Sequence, residues 1–159
     1  MPIKDDDKPE VIKTSIQELK SLYQRIDTNW INLKNRTLGL LAGEVAVVSF
    51  IFTDNTFVPK EIYGRVYFAV GIGLVSLAFA LLLFILATSS WRMPYDVETS
   101  QKLYKRFDSH LDFLEHIRED YEQCINFCLV KMAFRARLYN ISLLALSSGI
   151  IMLLVLRFR

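Results

Sequence analysis

The sequence predicts an all-α membrane protein with three spanning helices that extend into a cytosolic helical stalk. Of its 159 residues 52% are hydrophobic, and these are concentrated in three blocks that are each long enough to cross a bilayer. The polar stretches between the blocks carry apolar residues at helical spacing, which predicts amphipathic helices. The net charge of +2 is too small to indicate nucleic-acid binding.

The predicted organisation follows the three apolar blocks. It comprises a cytosolic N-terminal helix (1–36), two spans joined by a short external turn at 54–65 (37–90), a folded-back cytosolic helical segment (91–137), and a third span with an external C-terminus (138–159).

The N-terminal segment predicts one long helix with a narrow apolar stripe, here called the seam. Asp7-Lys8-Pro9-Glu10 is typical of a helix start, with Asp7 as N-cap. From there apolar residues fall at steps of four and three, and no proline interrupts the count as it enters the first span. One helix of roughly 45 residues is therefore expected. The seam comprises Ile12, Ile16, Leu19, Tyr23, Ile26, Trp30, Leu33, Thr37, Leu40, Glu44, Val47 and Ile51.

The first span, Thr37 to Thr53, contains one ionisable residue, Glu44. An ionisable group inside a membrane helix is costly and indicates a functional site. The functional hypothesis is a pore-lining or proton-linked carboxylate at an oligomer axis. Two alternatives remain open at this point: a protonated Glu44 hydrogen-bonded to Ser147 or Ser148 on the third span, or a side chain that reaches the inner interface.

The same span carries Gly39 and Gly43, a GxxxG pair that permits close helix approach. The pair is typical of an oligomer contact, and the alternative is packing against the second or third span of the same chain.

Orientation follows from the lysines and arginines near the span ends. The positive-inside rule places the N-terminus and residues 91–137 in the cytosol and the C-terminus outside. The residues that decide this are Lys34, Arg36, Arg92, Lys131, Arg135 and Arg137.

Residues 96–137 as one straight helix would be about 63 Å long. Both ends must return to the same membrane face, so the segment is expected to fold back instead. The turn is expected between Asp108 and Asp120, with Ser109 as an N-cap or Arg118-Glu119-Asp120 as a polar alternative.

The other candidate sites in the stalk are indicated by weaker sequence patterns. Lys105, Arg106 and His110 could form a face for an anionic ligand or a partner, and the alternative is a solvated helix face. Cys124 and Cys128 are interpreted as reduced, small apolar residues in a helix contact. His116, Asp120 and Cys124 align at steps of four, but this spacing alone does not predict a metal site.

No nucleophile paired with a base, no paired carboxylates and no glycine-rich phosphate loop is visible in the sequence. The sequence therefore predicts a protein that is not an enzyme and that needs no cofactor.

Two stretches resemble a known group of proteins. Arg25 to Phe52, RIDTNWINLKNRTLGLLAGEVAVVSFIF, resembles the entry into the first span of small bacterial membrane effectors of antiviral defence, which include the Pycsar membrane effectors and SLATT-like proteins. Ile125 to Leu154 resembles the returning helix and last span of three-span relatives. The resemblance implies an oligomer in the bacterial inner membrane, triggered by a cyclic nucleotide or a cytosolic protein, that permeabilises the bilayer.

Three functional hypotheses follow. The first is an oligomeric effector that permeabilises or depolarises the membrane and is gated through its cytosolic helices. The second is a non-conducting membrane anchor or sensor subunit that recruits a cytosolic partner. The third is a small transport accessory subunit.

Overall fold

The structure, a computed structural model, describes residues 8–53, 61–87, 94, 104, 107 and 109–157. These residues form three long helices: α1 (Lys8–Phe52, 45 residues), α2 (Ile62–Ala87, 26 residues) and α3 (His110–Arg157, 48 residues). The all-α class is confirmed, and so is the single long N-terminal helix. Asp7 and most of the residues from 88 to 108 lie outside the described part of the chain.

The chain divides into two compact units. Unit 1 comprises Met1–Trp30 and Ser90–Met132, and unit 2 comprises Ile31–Ser89 and Ala133–Arg159. Helices α1 and α3 therefore contribute residues to both units, whereas α2 belongs to unit 2 alone.

The seam of α1 is the face that the protein buries. Each seam position with a described side chain is buried or half-buried, from Ile12 to Val47. Ile26 is only 3% exposed and Thr37 is fully buried, whereas Leu38, next to Thr37 and off the seam, is 50% exposed. The stepping of four and three residues therefore identified the packing face of this helix.

Unit 1 is built by α1 and α3 lying side by side. Tyr23 meets Tyr121 edge to face with ring centroids 6.5 Å apart, and Ile26 packs in one cluster with Ile125 and Cys128. Because residue numbers rise together along these contacts, the two helices run in the same direction. Edge-to-face pairs of this kind add to the stability that apolar burial supplies.

The interpretation of the two cysteines as residues of a helix contact is confirmed. Cys124 and Cys128 have no exposed surface, and Cys128 is part of the apolar cluster between α1 and α3. Buried cysteines behave as small apolar residues, so they contribute to packing in unit 1.

Helix α3 begins with a cap. The Leu111 amide donates a hydrogen bond to Ser109 Oγ at 3.2 Å, and the Phe113 amide donates to the Ser109 carbonyl at 3.2 Å. The first bond satisfies an amide of the first turn that has no carbonyl partner within the helix, and the second is the first bond of the helical series. The helix continues unbroken through 118–120. Of the two turn positions expected from the sequence, the one at Ser109 is therefore the helix start.

Unit 2 has an apolar core of Val75, Ala78, Leu146 and Leu153. A close approach between helices in this unit pairs Gly71 of α2 with Gly149 of α3. A Cβ atom at Gly149 would lie 2.9 Å from the Gly71 carbonyl oxygen and 2.9 Å from Val75 Cγ2, and one at Gly71 would lie 3.0 Å from Leu153 Cδ2. Since Gly71 meets Leu153 and Val75 meets Gly149, α2 and α3 are antiparallel. Small residues that let two backbones meet are typical of helix contacts in membranes.

Two of the described helices, Ile62–Ala87 and His110–Leu156, are long and apolar enough to cross a bilayer by length and composition. Helix α1 is not one of these two. The first span, the boundaries of the third and the orientation of the chain remain predictions.

Candidate functional site

Glu44 lies on the inward face of α1 within unit 2. Its neighbours on the seam, Leu40 and Val47, both pack against the apolar core of the unit. The Glu44 side chain is 2% exposed, and neither Oε1 nor Oε2 has a hydrogen-bond partner among the described residues. A polar group that is buried without a hydrogen bond costs free energy, and a charged one costs more. Glu44 is therefore an unusual residue in an otherwise apolar setting.

Neither alternative for Glu44 survives. Ser147 and Ser148 are both exposed, and the Ser147 hydroxyl donates to the Leu143 carbonyl at 2.7 Å. The alternative in which Glu44 is hydrogen-bonded to one of these serines is therefore wrong, because neither carboxylate oxygen has such a partner among the described residues. The expectation that Glu44 reaches the interface is also wrong, because its side chain is enclosed. Glu44 is therefore not exposed on the surface of the single chain.

Among the described residues of unit 2, three further polar side chains are buried: Thr37, Arg135 and Ser142. Thr37 precedes Glu44 by seven residues on α1, and Arg135 precedes Ser142 by seven on α3, so each pair shares one helix face. The hydroxyls of Thr37 and Ser142 donate to the carbonyls four residues earlier, each at 2.8 Å. Such bonds are the usual way in which a helix satisfies an interior hydroxyl.

The inward position of Arg135 and Ser142 also has a signal in the sequence. Steps of four and three through Tyr121, Ile125, Cys128 and Met132 continue without interruption into the third span. Continuing that count gives Arg135, Tyr139, Ser142, Leu146, Gly149 and Leu153, all buried or half-buried. Ser147 and Ser148 fall off this face, because they lie between two of its positions.

The glycines of the first span face away from the protein's own helices. A Cβ atom at Gly39 or Gly43 would meet nothing within 4 Å. Packing of this pair against the second or third span is therefore wrong, and the close approach in unit 2 uses Gly71 and Gly149 instead. The oligomer interpretation of Gly39 and Gly43 stays a prediction.

At the start of α3, aromatic rings contact one another. The Tyr104 ring lies 4.9 Å from Phe113 and 6.0 Å from His110, and Phe107 lies 5.2 Å from His116. His110 is exposed. Lys105 and Arg106 lie outside the described residues, so the face for an anionic ligand stays a prediction.

The described residues contain no group of three histidine, cysteine or acidic side chains that could hold a metal ion. Cys124 Sγ lies 3.9 Å from Asp120 Oδ2. Burial raises the pKa of the neighbouring Tyr121 above its usual value, and the negative charge of Asp120, together with that of Cys124 when it is deprotonated, raises it further.

The fold and the site thus define a class of protein: a bundle of long helices with membrane-compatible segments and a buried carboxylate. Comparisons with protein-family models, curated proteins and solved structures gave no match for this chain. The resemblance to antiviral membrane effectors accordingly remains a hypothesis.

Proposed function

We propose that this chain is a three-span membrane effector that assembles into an oligomer and permeabilises the bacterial inner membrane in antiviral defence. The observation that carries the proposal is Glu44, a buried carboxylate with no hydrogen-bond partner among the described residues. Ionisable residues inside membrane helices commonly mark ion or proton pathways.

The outer surface of unit 2 supports a membrane location. Large apolar side chains of all three helices face outward there, and examples are Phe50 (62% exposed), Val66 (57%), Leu144 (68%) and Val155 (60%). Extended exposed apolar surface indicates contact with lipid or with another protein. Because α1 shares this surface with α2 and α3, we assign its 37–53 segment to the bilayer as well.

Glu44 supports permeation through a change of packing. A charged carboxylate is far more costly in apolar surroundings than a neutral one. Ionisation therefore favours any arrangement of α1, α2 and α3 that admits water or a cation to Glu44. A group that is stable in one arrangement when neutral and in another when charged biases a two-state equilibrium. In this mechanism the conducting path forms when the helices rearrange or assemble.

The outward glycines support assembly. Gly39 and Gly43 lie one helical turn apart on α1 and leave the backbone open. In membranes such a face allows a second helix to approach closely and to gain van der Waals contact. We assign this face to the contact between copies of the chain. The trigger, a cyclic nucleotide or a cytosolic protein, would act on the helices of unit 1.

A second candidate function is a non-conducting anchor or sensor that recruits a cytosolic partner. It is favoured by a shallow groove on α1 in unit 1. The groove is lined by Ser21, Gln24, Arg25, Thr28 and Asn29. Exposed hydroxyl, amide and guanidinium groups of this kind offer hydrogen bonds to a docking protein.

The deciding experiment measures dye or ion leakage from liposomes that contain the purified oligomer. Glu44→Gln keeps the size of the side chain and removes its titration, so leakage that depends on pH is expected to lose that dependence. Glu61→Gln is the matched control, since Glu61 is an exposed carboxylate of the same unit.

Three results are distinguishable. Leakage that changes in Glu44→Gln and not in Glu61→Gln supports the effector with Glu44 in its path. Leakage that is identical in both variants removes Glu44 from the mechanism. A folded oligomer that does not leak, even with cyclic nucleotides added, leaves the anchor or sensor.

A further inference from the structure

The surroundings of Glu44 determine which cation its carboxylate can bind. Leu40, Val47 and Val48 lie one helical turn from Glu44 on α1, and all three pack against the apolar core of unit 2. Thr37 lies two turns from Glu44, about 10 Å along the helix axis. Its hydroxyl also points back along α1, because it donates to a carbonyl one turn earlier. The side chains of α1 next to Glu44 are therefore hydrocarbon and add no oxygen ligand.

Helices α2 and α3 add one hydroxyl to the interior of unit 2. The buried polar side chains that the structure describes on this part of α3 are Arg135 and Ser142. Arg135 supplies no oxygen. Ser142 lies one turn before Leu146 of the apolar core, and its hydroxyl hydrogen is already donated to a carbonyl of α3 at 2.8 Å. The buried residues of α2 are all apolar, namely Gly71, Val75, Ala78, Leu82 and Ile85.

A metal cation needs more oxygen ligands than these side chains offer. Calcium takes about six to eight oxygen ligands and magnesium about six. Potassium is bound in channels where rings of carbonyl oxygens replace its hydration shell, and the carbonyls of a helix are occupied by its own amides. Glu44 and Ser142 together provide two carboxylate oxygens and one hydroxyl oxygen. A proton needs a single oxygen, and the neutral carboxyl group that it forms is far less costly to bury than a charged one.

The charged and titratable groups on the inward faces of unit 2 set the balance between the two forms of Glu44. On α3 they are the buried Arg135 and the half-buried Tyr139, and the buried face of α2 has none. The positive charge of Arg135 favours an ionised carboxylate, whereas the apolar neighbours of Glu44 favour a neutral one. These opposite preferences allow Glu44 both to take up a proton and to release it.

We propose that the ion bound by Glu44 is a proton and not a metal cation. The inference rests on the proposed function, because it names the ion that the effector would carry through unit 2. It also has a chemical consequence that does not depend on leakage: Glu44 is a carboxylic acid in apolar surroundings, and a carbodiimide reacts with such an acid.

The test uses dicyclohexylcarbodiimide, an apolar reagent, on the full chain purified in detergent. The acid O–H adds across one C=N bond, so that its oxygen bonds to the central carbon and its proton moves to nitrogen. The acyl group then moves to a nitrogen of the reagent and gives a stable N-acylurea, and no leaving group is released. Peptide mass spectrometry locates the adduct and measures the rate at which it forms.

We expect the adduct at Glu44, and its rate of formation should fall as pH rises, by up to about tenfold per pH unit. Replacing choline chloride by sodium, potassium or magnesium chloride, at constant pH and ionic strength, should leave the rate unchanged because these ions do not compete with the proton. Glu44→Gln should lose the adduct at this position. Glu61→Gln, which removes an exposed carboxylate of the same unit, is the matched control and should be labelled at Glu44 like the native chain.

Two results would overturn the proposal, and both use the native chain, so that neither depends on the folding of a variant. One is a rate that sodium, potassium or magnesium lowers at fixed pH, and the other is a folded chain without an adduct at Glu44. Liposome leakage tests the proposed function separately. Labelling as expected without leakage supports the proton site and contradicts the effector, whereas leakage together with labelling that a metal cation suppresses supports the effector and overturns the proton site.

Discussion

The contact between Gly71 and Gly149 gives the sharpest test of the packing in unit 2. In Gly149→Ala the new Cβ would lie 2.9 Å from the Gly71 carbonyl oxygen and from Val75 Cγ2, and 3.2 Å from Leu74 Cβ. Ordinary contact begins at 3.4 Å, so the helices must separate locally by 3.4 − 2.9 = 0.5 Å. The oxygen belongs to the backbone of α2, and a rotamer change therefore cannot relieve the overlap. Overpacking of this kind typically costs about 1–3 kcal/mol.

Gly73→Ala is the matched control. A Cβ at Gly73 meets nothing within 4 Å, although the residue lies on the same helix as Gly71. Alanine also favours a helix over glycine by about 1 kcal/mol. Both alanine variants gain this propensity, so the difference between them isolates the overlap. We expect Gly149→Ala to be less stable than Gly73→Ala by about 1–3 kcal/mol.

The assay is reversible unfolding of the purified protein in mixed micelles, followed by helical circular dichroism as the denaturing detergent is increased. Gly71→Ala should fall between the other two variants, because its closest neighbour is the flexible end of Leu153 at 3.0 Å. Equal unfolding midpoints for Gly149→Ala and Gly73→Ala would refute the close approach of α2 and α3.

Three further predictions concern unit 1. Ile26→Ala should lower the free energy of unfolding by about 2–5 kcal/mol because Ile26 is buried. Leu22, which is 41% exposed, provides the control, and an equal loss of stability in Leu22→Ala would contradict this. Ser109→Ala should cost about 1 kcal/mol and speed amide exchange in the first turn of α3, while Ser109→Asp restores the cap. Burial raises the pKa of Tyr121, so the unfolded chain loses this proton first and stability should fall as pH rises above about 10. Tyr121→Phe should reduce this loss of stability at high pH, whereas Tyr63→Phe, which changes an exposed ring, should not alter it.

The sequence was most informative where one helix carries its own pattern. The seam of α1 could be predicted because each apolar step of four or three places a side chain on the same face. This regularity even identified Thr37 and Glu44 as inward-facing, although both are polar and occur in an apolar block. Because the only proline of α1 is Pro9 in its first turn, where proline is tolerated, the full length of the helix could also be predicted.

The contact between α2 and α3 could not be predicted in the same way. Gly39 and Gly43 form a pattern within one helix and yet face outward, whereas Gly71 and Gly149 meet across two helices. A contact between helices depends on their relative depth and rotation, and neither leaves a local spacing in the sequence. Ser147 and Ser148 do not reach Glu44 for a related reason, because a comparable depth in the span does not fix the rotation of α3, and both serines lie off its buried face.

The hydroxyls of Thr37 and Ser142 have a consequence for the chemistry of the interior. Each hydroxyl hydrogen is already engaged by a carbonyl of its own helix, at 2.8 Å in both cases. A hydroxyl can donate one hydrogen bond and can accept others through its two lone pairs. Because the hydrogen is already donated, each hydroxyl can only accept a hydrogen bond from a molecule or ion that enters the interior. Water or a neutral carboxylic acid can donate to them, whereas chloride, which needs a donor, finds none at either position.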